Sequence, residues 1–245
     1  MIYFFSDVHL GFSNPEIERQ KEDLLLNFLD EISKDAEKII IVGDFFDYWF
    51  DWKRTIPKDY YRTLAKIDEL IRKNIEIEYL IGNHDFGHYR FFKEKFGIIP
   101  IENDIERTYY NKKFYISHGD GKSNNDGGYR FIKHILRSKF NQSIYRILHP
   151  DFSIWLASKS SKKSRGFTSE KKYGKQDGMR DFAFKKIDEG YDYVIMGHRH
   201  KVEYLTHNSG AYINLGDWLN LKPHYASFDG NILQLNEINL DNVRI

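Results

Sequence analysis

An α/β fold built on a largely parallel sheet is predicted by two observations on this 245-residue sequence. Six apolar runs of strand length each end in a short polar cluster, and the stretches between the early runs carry helical periodicity. The runs are Ile2-Tyr3-Phe4-Phe5, Ile39-Ile40-Ile41-Val42, Glu78-Tyr79-Leu80-Ile81, Phe114-Tyr115-Ile116, Val194-Ile195-Met196 and Tyr212-Ile213-Asn214-Leu215. The clusters are Asp7-Val8-His9, Gly43-Asp44, Gly82-Asn83-His84-Asp85, His118-Gly119-Asp120, Gly197-His198-Arg199-His200 and Gly216-Asp217. Continuous apolar runs are what buried parallel strands look like, and in open α/β sheets ligands bind off the carboxyl ends of the strands. Asp, His and Asn at six such ends therefore converge on one rim.

The elements follow in order. Leu24, Leu25, Phe28, Leu29 and Ile32 form one helical stripe after the first strand. Pro57 stands where a first helical turn begins, Leu64, Ile67, Leu70 and Ile71 continue it, and Asn74 stops it. Strand, helix, strand, helix, strand over the first 120 residues is a βαβαβ pattern. Residues 129–157 read as an inserted helical pair. Tyr129, Ile132, Ile135, Leu136 and Phe140 make one stripe, Ile144, Ile147 and Leu148 begin a second, and Pro150 interrupts before Phe152, Ile154, Trp155 and Leu156. Ser158 to Ser169 is Ser/Lys-rich and reads as a link. A helix with Phe182, Phe184 and Ile187 returns to the sheet, and the stretch from Ala211, with a turn at Asp229-Gly230, reads as hairpins on a second sheet. The chain is expected to form a single domain, 1–245, with 123–176 as an inserted helical lid.

Charge is unevenly spread. Residues 123–176 hold 12 of the 37 Lys/Arg and only 3 of the 36 Asp/Glu, a balance of +9 against −8 for the remainder. A basic segment in an otherwise acidic chain fits an anionic partner, although a charge run by itself is more often a solvated helix face. The absence of cysteine excludes disulfides and thiolate zinc sites. No stretch approaches the roughly 20 apolar residues of a membrane span. Met1 leads straight into a strand, so a cytoplasmic protein is expected.

Each polar cluster alone is weak evidence. In Asp7/His9 and in His198/His200 the members lie two residues apart, which sets each pair on one side of a strand end. Oxygen and imidazole donors gathered without sulfur point to a hard or borderline divalent metal. The ordered set Asp7-x-His9, Gly43-Asp44, Gly82-Asn83-His84-Asp85, His118 and Gly197-His198-x-His200 resembles the calcineurin-like metallophosphoesterases. That resemblance spans residues 5–200. It implies a two-sheet β-sandwich flanked by helices and a binuclear site, with one metal on Asp7, His9 and His200, a second on Asn83, His118 and His198, and Asp44 bridging. Mixed His and carboxylate donors suit Mn²⁺ first, with Fe or Zn²⁺ as alternatives, over an all-oxygen Mg²⁺ or Ca²⁺ cage. His84 stands beside a ligand, where its near-neutral pKa suits transition-state stabilisation or proton donation. Asp85 either orients that imidazole or caps a turn.

Within the family, Gly43-Asp44-Phe45-Phe46-Asp47-Tyr48-Trp49, His118-Gly119-Asp120 with Asp126 and Tyr129, and Leu215-Gly216-Asp217-Trp218 resemble the UDP-2,3-diacylglucosamine hydrolases, pyrophosphatases of lipid A synthesis. That branch implies an anionic, lipid-linked nucleotide substrate, a lid between His118 and His198, and no obligate nucleic acid. Substrate contacts are expected from Asn83, His84, Asp126, Tyr129, Arg130 and Lys133, with Lys171, Lys172 and Lys175 as further candidates. Most of the insertion's apolar residues are expected to pack against one another and a few to face acyl chains. A basic amphipathic pair also suits peripheral attachment to the cytoplasmic face of the inner membrane. The chain departs from the branch at His84, where its well-known members have Arg. Two other readings compete. A phosphodiesterase or nuclease would use the basic segment on nucleotides or nucleic acid, with steep salt dependence. A protein-binding scaffold on the same fold has no need of a complete ligand set.

Overall fold

The computed structural model describes residues 1–122, 138–155 and 178–238. Two five-stranded mixed sheets pack face to face. The first has the order β10-β9-β1-β2-β3, from β1 (Ile2–Phe5), β2 (Lys38–Val42), β3 (Glu76–Leu80), β9 (His224–Phe228) and β10 (Leu233–Glu237). The second has the order β4-β5-β6-β8-β7, from β4 (Ile105–Tyr109), β5 (Lys112–Ser117), β6 (Tyr193–Met196), β7 (Val202–His207) and β8 (Gly210–Leu215). Each sheet has a parallel trio at its centre, β1-β2-β3 in one and β5-β6-β8 in the other, with antiparallel strands outside. Six parallel strands thus point their carboxyl ends the same way within their sheets, and these are the six apolar runs of the sequence.

The alternation of side chains divides the core in three. Ile2, Phe4, Ile40, Val42 and Leu80 meet Phe114, Ile116, Ile195, Ile213 and Leu215 between the sheets. Phe4 stacks on Phe114 at 5.8 Å between ring centroids. Tyr3, Phe5, Ile39, Ile41 and Tyr79 face the other way, onto α1 (Pro15–Ile32) and α2 (Tyr61–Arg72). Tyr115, Val194, Met196 and Tyr212 cover the outer side of the second sheet, under Met179, Ala183 and Ile187. Both faces of each central strand are buried, which is why the strands read as unbroken apolar runs.

The helix boundaries follow local chemistry. Asn14 caps α1 by accepting from the Ile17 amide at 3.0 Å, with Pro15 at the first helical position. A 3₁₀ turn, Lys58–Tyr60, leads into α2, and Asn74 closes that helix in the left-handed region at φ 63°. The short α3 (Phe91–Phe96) ends on Gly97 at φ 71°. The sequence pattern carries no clear signal for α3 or for β4. One expectation is corrected: the β9–β10 hairpin, with its turn at Asp229-Gly230, extends the first sheet beside β1, not the second. Its residues Ala226, Phe228 and Leu233 complete the core between the sheets.

Of the insertion, 138–155 contains α4 (Lys139–Tyr145) and a helical turn at 150–155. It rests on the loops that follow β2 and β3. The Tyr145 ring meets Phe50 edge-on at 4.8 Å, Tyr48 donates to the Tyr145 hydroxyl at 3.2 Å, and the Gln142 amide donates to the Phe86 carbonyl at 3.4 Å. The Arg146 guanidinium lies 4.0 Å from the Tyr89 ring centroid. Of the apolar stripes, Phe140 is 72% and Ile147 84% exposed, and Phe152 and Trp155 are half exposed, while Tyr129, Ile132, Ile135, Leu136 and Leu156 lie outside the described residues. The helix α5 (Gly178–Asp188) follows, against the second sheet. Among the described residues no helix is long and apolar enough to cross a membrane.

Candidate metal centre

The loops leaving the parallel strands place Asp7, His9, Asp44, Asn83, His118, His198 and His200 in one cluster that spans both sheets. Asp7, His9 and His200 form one group of candidate ligands, and Asp44, His118 and His198 another, with the ligand atoms of each group within 4.8 Å of one another. In the first group the two Nε2 atoms of His9 and His200 face each other at 3.1 Å, and the Asp7 carboxylate lies 3.7 Å from His9 and 3.5 Å from His200. In the second, Asn83 Oδ1 lies 3.1 Å from His118 Nε2 and 2.8 Å from His198 Nδ1. Asp44 Oδ2 stands between the groups, 3.2 Å from His118 Nε2 and 3.7 Å from His9 Nε2.

The backbone that achieves this convergence is not extended. β1 ends at Phe5, and Asp7, His9, Asp44, His198 and His200 all have positive φ, between 48° and 69°. The side chains of Asp7/His9 and His198/His200 are therefore brought together by left-handed turns and not by strand alternation. That conformation costs a non-glycine residue roughly 1–2 kcal/mol, so the surroundings must hold it in place. They do so by extending the β1–β2 pairing: the amides of Asp7, His9 and Leu10 donate to the carbonyls of Gly43, Asp44 and Phe45 at 3.1, 3.0 and 3.1 Å. The His198 amide donates to the Asp7 carboxylate at 3.0 Å, a bond from one sheet to the other. Glycine is required beside the ligands, since a Cβ at Gly82 would strike the Asp44 carboxylate and one at Gly43 (φ 86°) the His118 ring.

The electrostatics favour added cations. Burial disfavours the Asp7 carboxylate, yet His200 and His9 outweigh it and hold its pKa well below the usual range. Asp44 is likewise depressed, burial being outweighed by His118 and His84. The same pairs act on the imidazoles. His9, despite burial, is raised to about 10 by Asp47, Asp7 and Asp44, and His118 to about 10 by Asp44 and Asp7. Burial and the repulsion of His118 push His198 down to about 4. Buried carboxylates thus draw protons onto His9 and His118. Divalent cations would take the place of those protons, so the donor set and its charge fit metal binding.

His84 borders this cluster. Its amide donates to Asp44 Oδ1 at 2.8 Å, and its ring, 24% exposed, meets His9 edge-on at 4.8 Å. Nδ1 faces the Asp47 carbonyl at 3.1 Å and the Asp47 carboxylate at 3.2 Å. The carbonyl can only accept, so Nδ1 carries the hydrogen and Nε2 is left for other partners. Burial disfavours the charged ring, but Asp44 and Asp47 raise its pKa.

Of the two readings of Asp85, the geometry matches the turn and not the imidazole. Its carboxylate accepts from the Phe45 and Gly82 amides, each at 2.8 Å, and from the Tyr79 hydroxyl. It pins the Gly82–Asp85 turn to the loop of Asp44, while burial and the Asp44 charge push its pKa up. The orienting carboxylate beside His84 is Asp47, which also lies 3.6 Å from His9 Nδ1. Asp47 stands within the Gly43–Trp49 motif and Asp217 within Gly216-Asp217, and neither is among the site residues expected from the sequence; Asp217 Oδ2 lies 3.5 Å from His200 Nδ1. Their signal was position in the polar clusters after strands. The expected substrate contacts Asp126, Tyr129, Arg130, Lys133, Lys171, Lys172 and Lys175 lie outside the described residues.

Paired His/Asp groups at the joined rims of two mixed sheets form a donor set for divalent metal, the equipment of a metal-dependent hydrolase. Residues 1–202 match the calcineurin-like phosphoesterase family, and the chain belongs to it. It is 29% identical over 252 residues to a UDP-2,3-diacylglucosamine hydrolase of Porphyromonas gingivalis, covering 96% of each chain. It is 28% identical over 241 residues to the Haemophilus influenzae (strain PittGG) protein of the same name, covering 96% of this chain and 94% of the relative. A solved archaeal phosphodiesterase aligns over 96% of this chain and 98% of its own at 17% identity, with a TM-score of 0.45.

Proposed function

We propose that this protein hydrolyses the pyrophosphate of UDP-2,3-diacylglucosamine to UMP and 2,3-diacylglucosamine 1-phosphate at a two-metal site. The observation that carries the metal reading is the position of Asp44 Oδ2 between His118 and His9, which belong to separate ligand groups. Asp7, His9 and His200 would hold one cation, Asn83, His118 and His198 the other, and Asp44 both. Mn²⁺ is the first candidate, with Fe or Zn²⁺ next. Divalent cations held by these residues would supply Lewis-acid activation of water and stabilisation of phosphoryl oxygens. The chain's own residues supply the rest. Asp47 accepts from Nδ1–H of His84 and leaves Nε2 for the substrate, and Asp44 and Asp47, by raising its pKa, favour the doubly protonated ring that could donate from Nε2 to a phosphoryl or leaving oxygen. The hydrogen bond from the His198 amide to the Asp7 carboxylate helps keep the ligand groups of the two sheets in register.

The substrate rests on the names of the relatives that align over nearly the whole chain. The exposed Phe140, Ile144, Ile147, Phe152 and Trp155, on a segment seated on the Asp44 and His84 loops, suit acyl chains or the cytoplasmic face of a membrane. The segment 123–176 would act as the lid within a single domain. The test is release of UMP from synthetic UDP-2,3-diacylglucosamine, read by mass spectrometry with Mn²⁺ present and after chelation. Metal-dependent UMP release is expected, and its absence from folded, Mn²⁺-loaded protein would overturn the substrate. A second reading, a phosphodiesterase acting on nucleotides, draws on His84 in place of the branch's Arg. It predicts faster turnover of a small chromogenic phosphodiester than of the lipid.

A further inference from the structure

The face of α1 that packs on the first sheet carries Leu24, Leu25, Phe28, Leu29 and Ile32, and one charged residue, Lys21. The Lys21 side chain is fully buried. Its Nζ donates to the backbone carbonyl of His9 at 2.6 Å and pairs with Glu18 at 3.2 Å. Glu18 in turn accepts from the Gly11 amide at 2.6 Å with one oxygen and from the Ser13 amide at 3.0 Å with the other. Two residues one turn apart on α1 thus grip the loop 9–13 at three points. That loop holds His9 at φ 48°, a conformation that an imidazole-bearing residue keeps only under constraint. The same carbonyl of His9 accepts from the Phe12 amide at 3.1 Å, so the ammonium fastens the turn where it closes.

Packing alone does not account for a lysine here. A buried ammonium is costly to desolvate, and an apolar side chain of equal length would extend the surrounding stripe at no such cost. The amine is spent on the backbone of a candidate metal ligand. Asp47 and Asp217, the carboxylates behind His9 and His200, both act on it electrostatically.

We propose that Lys21 and Glu18 form a latch that positions His9, and so sets the affinity of the metal held by Asp7, His9 and His200 while leaving that of the Asn83, His118 and His198 group nearly unchanged. Resting on the two-metal reading, it assigns a positioning role to helix α1, with neither residue touching metal or substrate. Second-layer contacts of this kind alter metal affinity by about 10–100-fold.

The test is Mn²⁺ titration of chelator-stripped full-length protein, followed by equilibrium dialysis and electron paramagnetic resonance. Wild-type protein should bind two ions, with a spin-coupled signal once both sites fill. Lys21→Met should keep one ion at wild-type affinity and bind the second about 10–100-fold more weakly. At one equivalent it should show the spectrum of isolated Mn²⁺. Glu18→Gln, which leaves the buried amine in place, should weaken the same ion by less. Circular dichroism in chelator checks the fold of each variant. If Lys21→Met does not fold, Glu18→Gln decides by the same criterion. Wild-type affinities for both ions in the folded variants would overturn the latch, as would equal weakening of both, which is the mark of general loosening. A single ion in wild-type protein would instead sink the two-metal reading, and the latch would then stand or fall on whether that ion weakens in the variants.

Discussion

At the carboxyl edge of the first sheet, β1, β2 and β3 present Asp7, Asp44, Asp47 and Asn83 beside His9 and His84. The matching edge of the second sheet presents His118, His198 and His200, with Asp217 behind them. Most of the acid comes from one sheet and most of the base from the other. Two of the three candidate ligand groups draw from both: Asp7 and His9 need His200, and Asp44 needs His118 and His198. The third, His9, Asp44 and His84, lies wholly on the first sheet. Metal binding of the kind proposed is therefore a property of the sandwich. The stack of Phe4 on Phe114 and the hydrogen bond from the His198 amide to Asp7 join the two sheets that carry the candidate ligands.

The strongest way to break this comparison is at the residue both halves share. Asp44→Asn should lower turnover by several orders of magnitude and lose metal from both groups, while circular dichroism stays close to wild type. Loss of a single ion, measured by elemental analysis, would show that Asp44 serves one side only. His84→Ala, confined to the first sheet, should cut kcat by about 10²–10⁴-fold with both ions retained. An unchanged kcat across the pH range would remove His84 from the chemistry. Asp217→Ala acts behind the second sheet's His200 and should be milder, weakening metal binding by about 10–100-fold in chelator competition. No change there would make the 3.5 Å approach to His200 incidental.

The smallest effect concerns protons in place of metal. In the stripped protein His9 and His118, one from each sheet, have pKa values raised to about 10, against about 6.5 when unfolded. Below about 6.5 the folded and unfolded chains both hold these protons, and the stabilisation is complete. Between about 6.5 and 10 only the folded chain holds them, so stability falls as pH rises, and above 10 the contribution is gone. Melting temperature of the chelated protein should decline across that window, and Mn²⁺ should flatten the decline because the cations replace the protons. A flat profile without metal would mean that the histidines are neutral and the two edges are not electrostatically joined.

The six strands were legible from local pattern, an apolar run long enough to be buried on both faces and then a polar cluster at its end, and the seven candidate ligands stood in those clusters, their grouping implied by the family resemblance. Asp47 and Asp217 stood in those clusters, but nothing in one dimension tells a ligand from the carboxylate behind it. The distinction is a matter of a few ångströms between loops on different strands. Asp85 shows the same limit. Adjacent to His84 in sequence, it turns the opposite way and braces the Phe45 and Gly82 amides, because the tight turn that presents His84 sends the next side chain inward. The placement of β9–β10 on the first sheet was likewise outside the reach of periodicity, which reports a buried face but not what buries it.

By itself the sequence determined which residues could ligate, the order in which the strands deliver them and the helices that cover the sheets, all consequences of side-chain chemistry repeated at short range. Only the tertiary structure decided that two sheets share the site, that left-handed turns and not strand alternation aim Asp7, His9, His198 and His200, and that a buried lysine twelve residues from His9 holds one of those turns closed. Those outcomes depend on contacts between segments distant in the chain, where the free energy of packing and of buried polar bonds outweighs the local preference of each residue.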